Sequence, residues 1–474
     1  MTKEIFTLQL GNAANYCGAH YWNLQASNIL CNLILSLYAS KNENKHEDLD
    51  ILRLFQQENV SLSKNILTPR ALVFDLKENF GSIKSTAEVY SEDNTSTDTD
   101  TNHSQESATD DNTEVYKQPI YNNTFNGNSI KDPRFWSDFT DTTFGYQSLH
   151  SISSIEFGSS LGEMKSFDEG YKVFKNIEQE DGVLDCEFRK IIEKCDNLET
   201  FQVFGDSNSG FSGFTNGYLE FLRDEYSKKQ IILYSISNTP VHKWSYDQKS
   251  DLGINISQST ELDFPIIPLH VPRTQNLAKD SYESKYQLSA LQSLVLDIIS
   301  FSAISQDYSI DQILHKSKYS ETGLPILSNL YASDYNSNLD LDESISFIDQ
   351  ISNKQVKSNY FKNNGWAVAR GDAEFYKVLK PVNIELFIEP KLLLPPMFPT
   401  LTRNSLKKVQ SHGSHISEID IAYEFVCNDQ SKEYTNEFRK ELKKNANYKK
   451  VFGNDQVEQW NENILSLIEQ NDDH

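Results

Sequence analysis

Residues Glu4–Leu24 (EIFTLQLGNAANYCGAHYWNL) limit the fold more than any other segment. Ile5, Phe6, Leu8 and Leu10 read as a buried strand, Gly11-Asn12 breaks it, and a helix begins almost at once. A strand that enters a helix through a tight glycine turn aims several backbone N–H groups at one spot. Together with the positive end of the helix dipole, they suit a phosphate. The same turn also simply joins strand to helix in many α/β proteins. The cassette therefore points to an α/β fold of nucleotide-binding type, and not yet to a nucleotide.

A chain of 474 residues suggests two or three domains, and 38% hydrophobic with 12% aromatic residues is enough to fill their cores. The net charge of −24 argues against a nucleic-acid-binding surface, because phosphates would be repelled over most of the molecule. Cys17, Cys31, Cys186, Cys195 and Cys427 form no C-x-x-C pair, and their odd number indicates reduced thiols. The longest apolar run, Leu288–Ile304, falls short of the ~20 residues of a membrane helix. Ser289, Gln292, Ser293, Asp297 and Ser300 interrupt it. The N-terminus shows neither a signal-peptide core nor an Arg-rich presequence, so work at an organelle is expected from its cytosolic face.

Residues 1–82 alternate strand and helix, with Arg70–Leu76 as a second buried strand. Ser91–Thr113 is almost wholly Ser, Thr, Asp, Asn and Glu and has no Lys or Arg. Such a stretch cannot bury enough surface to offset its ordering entropy, so 83–131 reads as an acidic disordered insert. Order is expected to resume over 132–280. There Ser166–Lys194 has helical spacing, Phe201–Phe204 and Gln230–Ile236 read as strands, and a glycine-rich loop, Ser207–Gly217, leads into a helix from Tyr218. Strand–loop–helix–strand is a βαβ unit with parallel strands. A central helix is expected over 281–305, a smaller α+β domain over 306–430 and a helical region over 431–474. In the last region Trp460, Ile464, Leu467 and Ile468 form a docking stripe.

No G-x-x-x-x-G-K-[ST] occurs, and no G-x-G-x-x-G follows a strand. The best phosphate-loop candidate is Asn208–Gly217, although Phe211 and Phe214 are bulky for such a cradle. His412 and His415 have metal-like spacing without a third ligand, and pairs such as Asp185/Glu187 or Asp340/Asp342 reflect an acidic composition. The basic run Arg439-Lys440, Lys443-Lys444, Lys449-Lys450 reads either as a solvated helix face or as an attractor of anionic lipid or an acidic tail.

Three segments together resemble the tubulin core. Glu4-Ile5 with Gly11, Asn15, Gly18 and Trp22 looks like the first strand, first phosphate loop and first helix. Pro69-Arg70-Ala71 with Asp75-Leu76 looks like the P-R-A-x-x-x-D-L stretch. Cys195-Asp196, Leu198, Phe201-Gln202, the glycine-rich loop and Arg223-x-Glu225-Tyr226 look like the segment around the signature loop. The departures are specific. The G-G-G-T-G-S-G loop is reduced to Gly210-Phe211-Ser212-Gly213, and Asn12 stands where tubulins have glutamine. Arg134–Phe139 with Ser148-Leu149-His150 replaces another phosphate-contacting loop. Asp206-x-x-x-Gly210-Phe-Ser-Gly213 with the Trp136-Ser-Asp block is similar to the Misato family, and Leu392–Pro399 resembles that family's proline-rich strand.

The resemblance implies a tubulin-like parallel sheet flanked by helices, and Gly11, Asn12, Asn15, Gly210, Ser212 and Gly213 as the positions lining a nucleotide pocket. GTP is the ligand it implies, while the residues themselves require no cofactor and no metal. Only Glu283 or Gln287 stands near the place of the base-contacting asparagine, and the acidic hydrolysis loop is not found. The family's fungal members are associated with mitochondrial partitioning and mitochondrial DNA inheritance. A non-enzymatic scaffold on the outer mitochondrial surface and in the cytoplasm is therefore expected, with organelle-surface or cytoskeletal proteins or further copies of the chain as partners. The alternatives are an assembling GTPase and a tubulin assembly or chaperone-associated factor.

Overall fold

The computed structural model describes residues 3–39, 50–61, 64–81, 84–85, 116–117, 133–145, 147–152, 164–180, 188–271, 284–304, 309–317, 319–333, 345–346, 366–371, 386–388, 392–395 and 417–471. Six strands form the first sheet: β1 (Glu4–Leu10), β2 (Ala71–Leu76), β3 (Leu149–Ile152), β4 (Leu198–Asp206), β5 (Gln230–Ile236) and β6 (Ile266–Leu269). Every pairing is parallel, and the spatial order is β3-β2-β1-β4-β5-β6. This is the doubly wound order, whose direction of winding reverses between β1 and β4.

Period-two alternation divides the sheet between two cores. Ile5, Val73, Phe204 and Ile232 face one apolar cluster, while Phe6, Leu8, Leu10, Phe74, Phe201 and Val203 face the other. The first cluster includes α1 (Asn12–Ala39) and a long helix over Lys285–Ile304. The second includes two helices, Phe167–Glu180 and Phe211–Glu225 (α2 and α3), and α4 (Tyr246–Glu261). It also includes the C-terminal helices. Numbered in chain order, the long helix is α5 and the C-terminal helices are α6 (Asp429–Lys444), α7 (Ala446–Phe452) and α8 (Asn454–Gln470). Trp460, Ile464, Leu467 and Ile468 are buried in α8, as their stripe predicts.

A second sheet holds β7 (Leu327–Ser333), β8 (Trp366–Arg370), β9 (Leu386–Ile388), β10 (Leu392–Leu394) and β11 (Ser417–Val426). Strand β11 pairs antiparallel with β7, β8 and β10, and β9 lies parallel to β8. Its Trp366, Val368, Ile421 and Tyr423 join the same core as α1 and α5, which therefore lie between the two sheets. Helix α5 is long and apolar enough to cross a membrane by length and composition, contrary to the expectation from its interrupted run. It is nonetheless 94% buried inside the protein over that window.

The glycine-rich stretch is not a loop up to Tyr218, because α3 starts at Phe211 and takes in Gly213 and Gly217. Helix α4 and strand β6 were not foreseen. Ser91–Thr113, His412, His415, Cys31, Cys186, Asp185, Glu187, Asp340 and Asp342 lie outside the residues whose side chains are described.

One buried ion pair fastens the second sheet to the two helices that lie between the sheets. Arg370 on β8 reaches Asp297 on α5 at 3.0 Å and donates to Asn28 Oδ1 on α1 at 3.0 Å. Asp297 also accepts from Gln25 (2.8 Å) and Asn28 (3.0 Å), and the guanidinium lies 3.9 Å from the Phe301 ring centroid. Removing one partner strands a charge in the core. Asp297→Ala should therefore cost about 3–5 kcal/mol in urea denaturation. Asp297→Leu with Arg370→Met should recover most of that loss, and a cost below about 1 kcal/mol for the single variant would show that the pair is no anchor.

Candidate functional site

In a doubly wound sheet the ligand crevice lies outside the carboxyl ends of the strands at the switch point. Here that point is the gap between β1 and β4. Gly11, Asn12 and Asn15 follow β1, whereas Gly210, Ser212 and Gly213 follow β4, so the fold brings all six candidates to one end of two adjacent strands.

Gly11 has φ +97°, and a Cβ there would lie 2.7 Å from Phe211 Cγ and 2.8 Å from Asp206 Cβ. Glycine is thus required by both conformation and space. Its N–H donates to the Phe74 carbonyl (3.0 Å), and its own carbonyl accepts the first helical bond, from Asn15 N–H (2.9 Å).

The N–H groups of the first turn of α1 form an anion site. The group present there is the protein's own carboxyl: Ala13 N–H donates to Asp206 Oδ2 at 3.2 Å, and Asn208 N–H donates to Oδ1 at 3.3 Å. Burial pushes the Asp206 carboxyl above its ordinary range, while those donors and the Lys285 ammonium oppose the shift. Lys285 comes from the first turn of α5, and its Nζ is 3.4 Å from Asn12 Oδ1.

Asp75, at the end of β2, is a second buried carboxylate. It accepts from Asn15 Nδ2 (2.9 Å), Trp136 Nε1 (3.0 Å), Asn79 Nδ2 (2.7 Å) and Leu76 N–H (2.8 Å). Burial pushes it up to about 6, against the pull of these donors and with repulsion from Asp206 adding to the rise. The Trp136 bond fixes the segment Arg134–Phe139. Tyr16 OH donates to the Arg134 carbonyl (2.6 Å), and Asn23 Nδ2 donates to the Phe139 carbonyl (2.7 Å). The segment therefore lies along α1.

The candidates after β4 are also committed within the protein. Gly210 N–H donates to the Met164 carbonyl (2.9 Å) and Phe211 N–H to Ser209 Oγ (3.3 Å). Ser212 N–H donates to the Ser209 carbonyl (2.9 Å), while Gly213 and Phe214 N–H donate to the Gly210 carbonyl (3.0 and 3.3 Å). Five successive amides thus have partners. Ser212 Oγ accepts from Asn255 Nδ2 on α4 at 3.0 Å.

The glycines serve a helix crossing. A Cβ on Gly213 would lie 1.9 Å from the Phe167 carbonyl oxygen of α2, and one on Gly170 of α2 would lie 1.7 Å from the Gly210 carbonyl oxygen. Gly217 meets the Phe174 ring in the same way, at 2.3 Å. Phe211 and Phe214, out of place in a phosphate cradle, are core residues, with Phe214 packed 5.3 Å from Phe74 and 5.8 Å from Phe174 between ring centroids. Of the two base-contact candidates, Glu283 lies outside the described residues, and Gln287 sits in the first turn of α5.

As arranged, these residues do not fit the phosphates of a nucleotide. The best donors are already used, and a phosphate at α1 would meet the buried Asp206 and Asp75 carboxylates. Sequence reasoning overlooked Asp75, Asp206 and Lys285 as site residues. The Asp206-x-x-x-Gly210 spacing contained the signal, hidden by the abundance of carboxylates.

Gly213→Ala should destabilise the fold by at least about 2 kcal/mol in thermal melts without any ligand, because backbone must move to admit the methyl; an unchanged melting temperature would remove the helix-crossing role. Asp75 has a folded pKa raised from 3.8 to about 6, so its charged form is disfavoured on folding, and its contribution to stability falls as pH rises through that window. Asparagine does not titrate. The cost of Asp75→Asn should therefore be about 1 kcal/mol larger at pH ~5.5 than at pH ~7.5 in urea denaturation, and a pH-independent cost would contradict the raised pKa.

Comparison with known proteins agrees with this architecture. A Misato Segment II tubulin-like domain matches residues 3–130, and a Tubulin domain matches residues 128–304. Protein dml1 of Aspergillus clavatus is 30% identical over 323 residues, which cover 64% of this chain and 61% of that protein. Protein dml1 of Aspergillus niger is 28% identical, over 64% of this chain and 62% of its own length. Protein misato homolog 1 of Mus musculus is 25% identical over half of this chain (50%) and 45% of its own. The match spans about three fifths of the two Aspergillus proteins, at 61% and 62%. Two adjoining domain matches, these relatives and the doubly wound sheet place the chain in the Misato family of tubulin-like proteins.

Proposed function

We propose that this chain is a non-enzymatic binding or scaffold protein that uses a tubulin-like body in the partitioning of mitochondria and the inheritance of mitochondrial DNA. It works in the cytoplasm and peripherally on the cytosolic face of the organelle, with outer-surface or cytoskeletal proteins, or further copies of itself, as partners. The mitochondrial part of this reading is supported by the association of fungal Misato proteins with that process.

The non-enzymatic part rests above all on Asp206. Its carboxylate stands at the α1 N-terminus, where the phosphates of a tubulin-type nucleotide would be held, and accepts the Ala13 N–H at 3.2 Å. A crevice whose N–H donors bond within the protein holds its shape without a ligand, as a scaffold requires. Six residues expected to line a pocket, Gly11, Asn12, Asn15, Gly210, Ser212 and Gly213, are read here as the remnant of one.

Two measurements test the two parts separately. Protein purified from its native source, denatured and chromatographed, should release no stoichiometric GTP or GDP; nucleotide at about one per chain would overturn the ligand-free reading. Cells depleted of the protein should distribute mitochondria unequally and lose mitochondrial DNA, with rescue by the full chain, and protease added to intact mitochondria should digest the bound protein. Normal organelle distribution after depletion would overturn the functional assignment, and complete protection would overturn the outer-face placement.

A further inference from the structure

The junction of α6 and α7 carries chemistry that the crevice does not explain. Residues 439–450 hold six cations, Arg439, Lys440, Lys443, Lys444, Lys449 and Lys450, against the single carboxylate Glu441, on a chain of net charge −24. Lysines in the last turns of α6 and α7 complement the helix dipoles, which accounts for Lys443, Lys444, Lys449 and Lys450 as helix-end residues. It accounts neither for Lys440 nor for the apolar side chains beside the run.

Arg439 is engaged, donating to Asn436 and Asn461 (both 3.1 Å). Lys444 pairs with Glu441 at 3.5 Å and Lys449 with Glu458 at 3.9 Å, both at the surface. Lys440, Lys443 and Lys450 are exposed and pair with no carboxylate among the described residues. Leu52, Tyr246 and Val451 are the exposed large hydrophobics among those residues, and two of them border this junction: Val451 is 54% exposed and Tyr246 68%. Val451 follows Lys450. Tyr246 precedes Asp247, whose carboxylate accepts from Asn445 at the α6–α7 turn (2.8 Å) and whose carbonyl accepts from Tyr448 OH (3.4 Å).

We propose that this junction docks on an anionic phospholipid surface. The free cations are all lysines, point charges suited to a diffuse field of headgroups. Bidentate capture of carboxylates on an acidic protein segment is arginine chemistry, and the one arginine here is occupied. A tyrosine and a valine among lysines supply the amphipathic element that enters the headgroup layer. The carboxylates Glu441, Glu458 and Asp247 contact residues of the junction, so the attraction is moderate and sensitive to salt. This inference does not depend on the mitochondrial reading, because lipid vesicles contain no organelle protein.

The test is co-sedimentation of the full chain with vesicles of phosphatidylcholine alone, or with about a third phosphatidylserine. Binding should require the anionic lipid and disappear at high salt. Each free lysine should contribute about fivefold. Lys440→Gln/Lys443→Gln/Lys450→Gln should therefore lower the bound-to-free ratio on the order of a hundredfold, with an unchanged melting temperature. Tyr246→Ser/Val451→Ser should lower it several-fold. Equal binding to neutral vesicles, no binding to anionic ones, or a triple variant that sediments like the parent would overturn the proposal. Capture by a polyglutamate peptide without vesicle binding would assign the patch to an acidic protein segment and overturn it as well.

Discussion

The Asp297–Arg370 pair is the constraint around which the rest is arranged. An ion pair taken out of water stabilises only when nearly every polar atom is satisfied, and here Gln25, Asn28 and the face of Phe301 complete the shell. Helix α5 buries other polar residues besides Asp297. Its polar residues, which interrupt an otherwise apolar run, are interior contacts: Gln292 Nε2 donates to the Ser237 and Leu269 carbonyls (3.0 and 2.6 Å), and Ser300 Oγ donates to Gln202 Oε1 at 3.2 Å. A helix buried between two sheets needs apolar residues on every side and a few polar ones where it meets strand ends. That combination resembles a membrane helix by composition and differs from it by burial.

With α1 and α5 fastened in this way, their N-termini converge on the switch point of the first sheet. Asn12 and Lys285 meet there at 3.4 Å. A site built to take a phosphate leaves donors unsatisfied until the ligand arrives. In this crevice Asp206 draws in the α1 and Asn208 amides, and Asp75 draws in Asn15, Asn79 and Trp136. Both carboxylates are disfavoured by burial and recover part of that cost from charge–dipole bonds. N–H donors that an external anion would use are thus engaged within the protein.

Much of the first sheet was legible because strands buried on both faces leave strong apolar runs, as in Ile5–Leu10, Ala71–Leu76 and Gln230–Ile236. The α3 start was misread because Ser, Gly, Thr and Asn favour turns in isolation. Contact with α2 overrides that preference, since Gly213 and Gly217 are what allow the two helices to approach. Helix α4 was missed because its interior carries Gly253 and buried Ser250, Asp251, Asn255 and Ser257, which blur an apolar face. Its start did carry a signal, the Ser245–Gln248 capping box. The site carboxylates were illegible for a different reason. In a chain with 68 acidic residues, Asp75 and Asp206 gain meaning only from what surrounds them.

The glycines of the crevice have packing roles of their own. In a nucleotide-binding protein, glycines after β1 and β4 let backbone approach phosphate. Here each has a reason that involves no ligand: Gly11 must admit Phe211 and Asp206 at positive φ, Gly210 passes beneath Met164, and Gly213 and Gly217 seat α2. A glycine required by packing is held in place whether or not a ligand binds beside it, so such a motif does not by itself establish the chemistry that it marks elsewhere. What distinguishes the two cases is the state of the neighbouring donors. At Ala13 and along 210–214 those donors are already engaged within the protein.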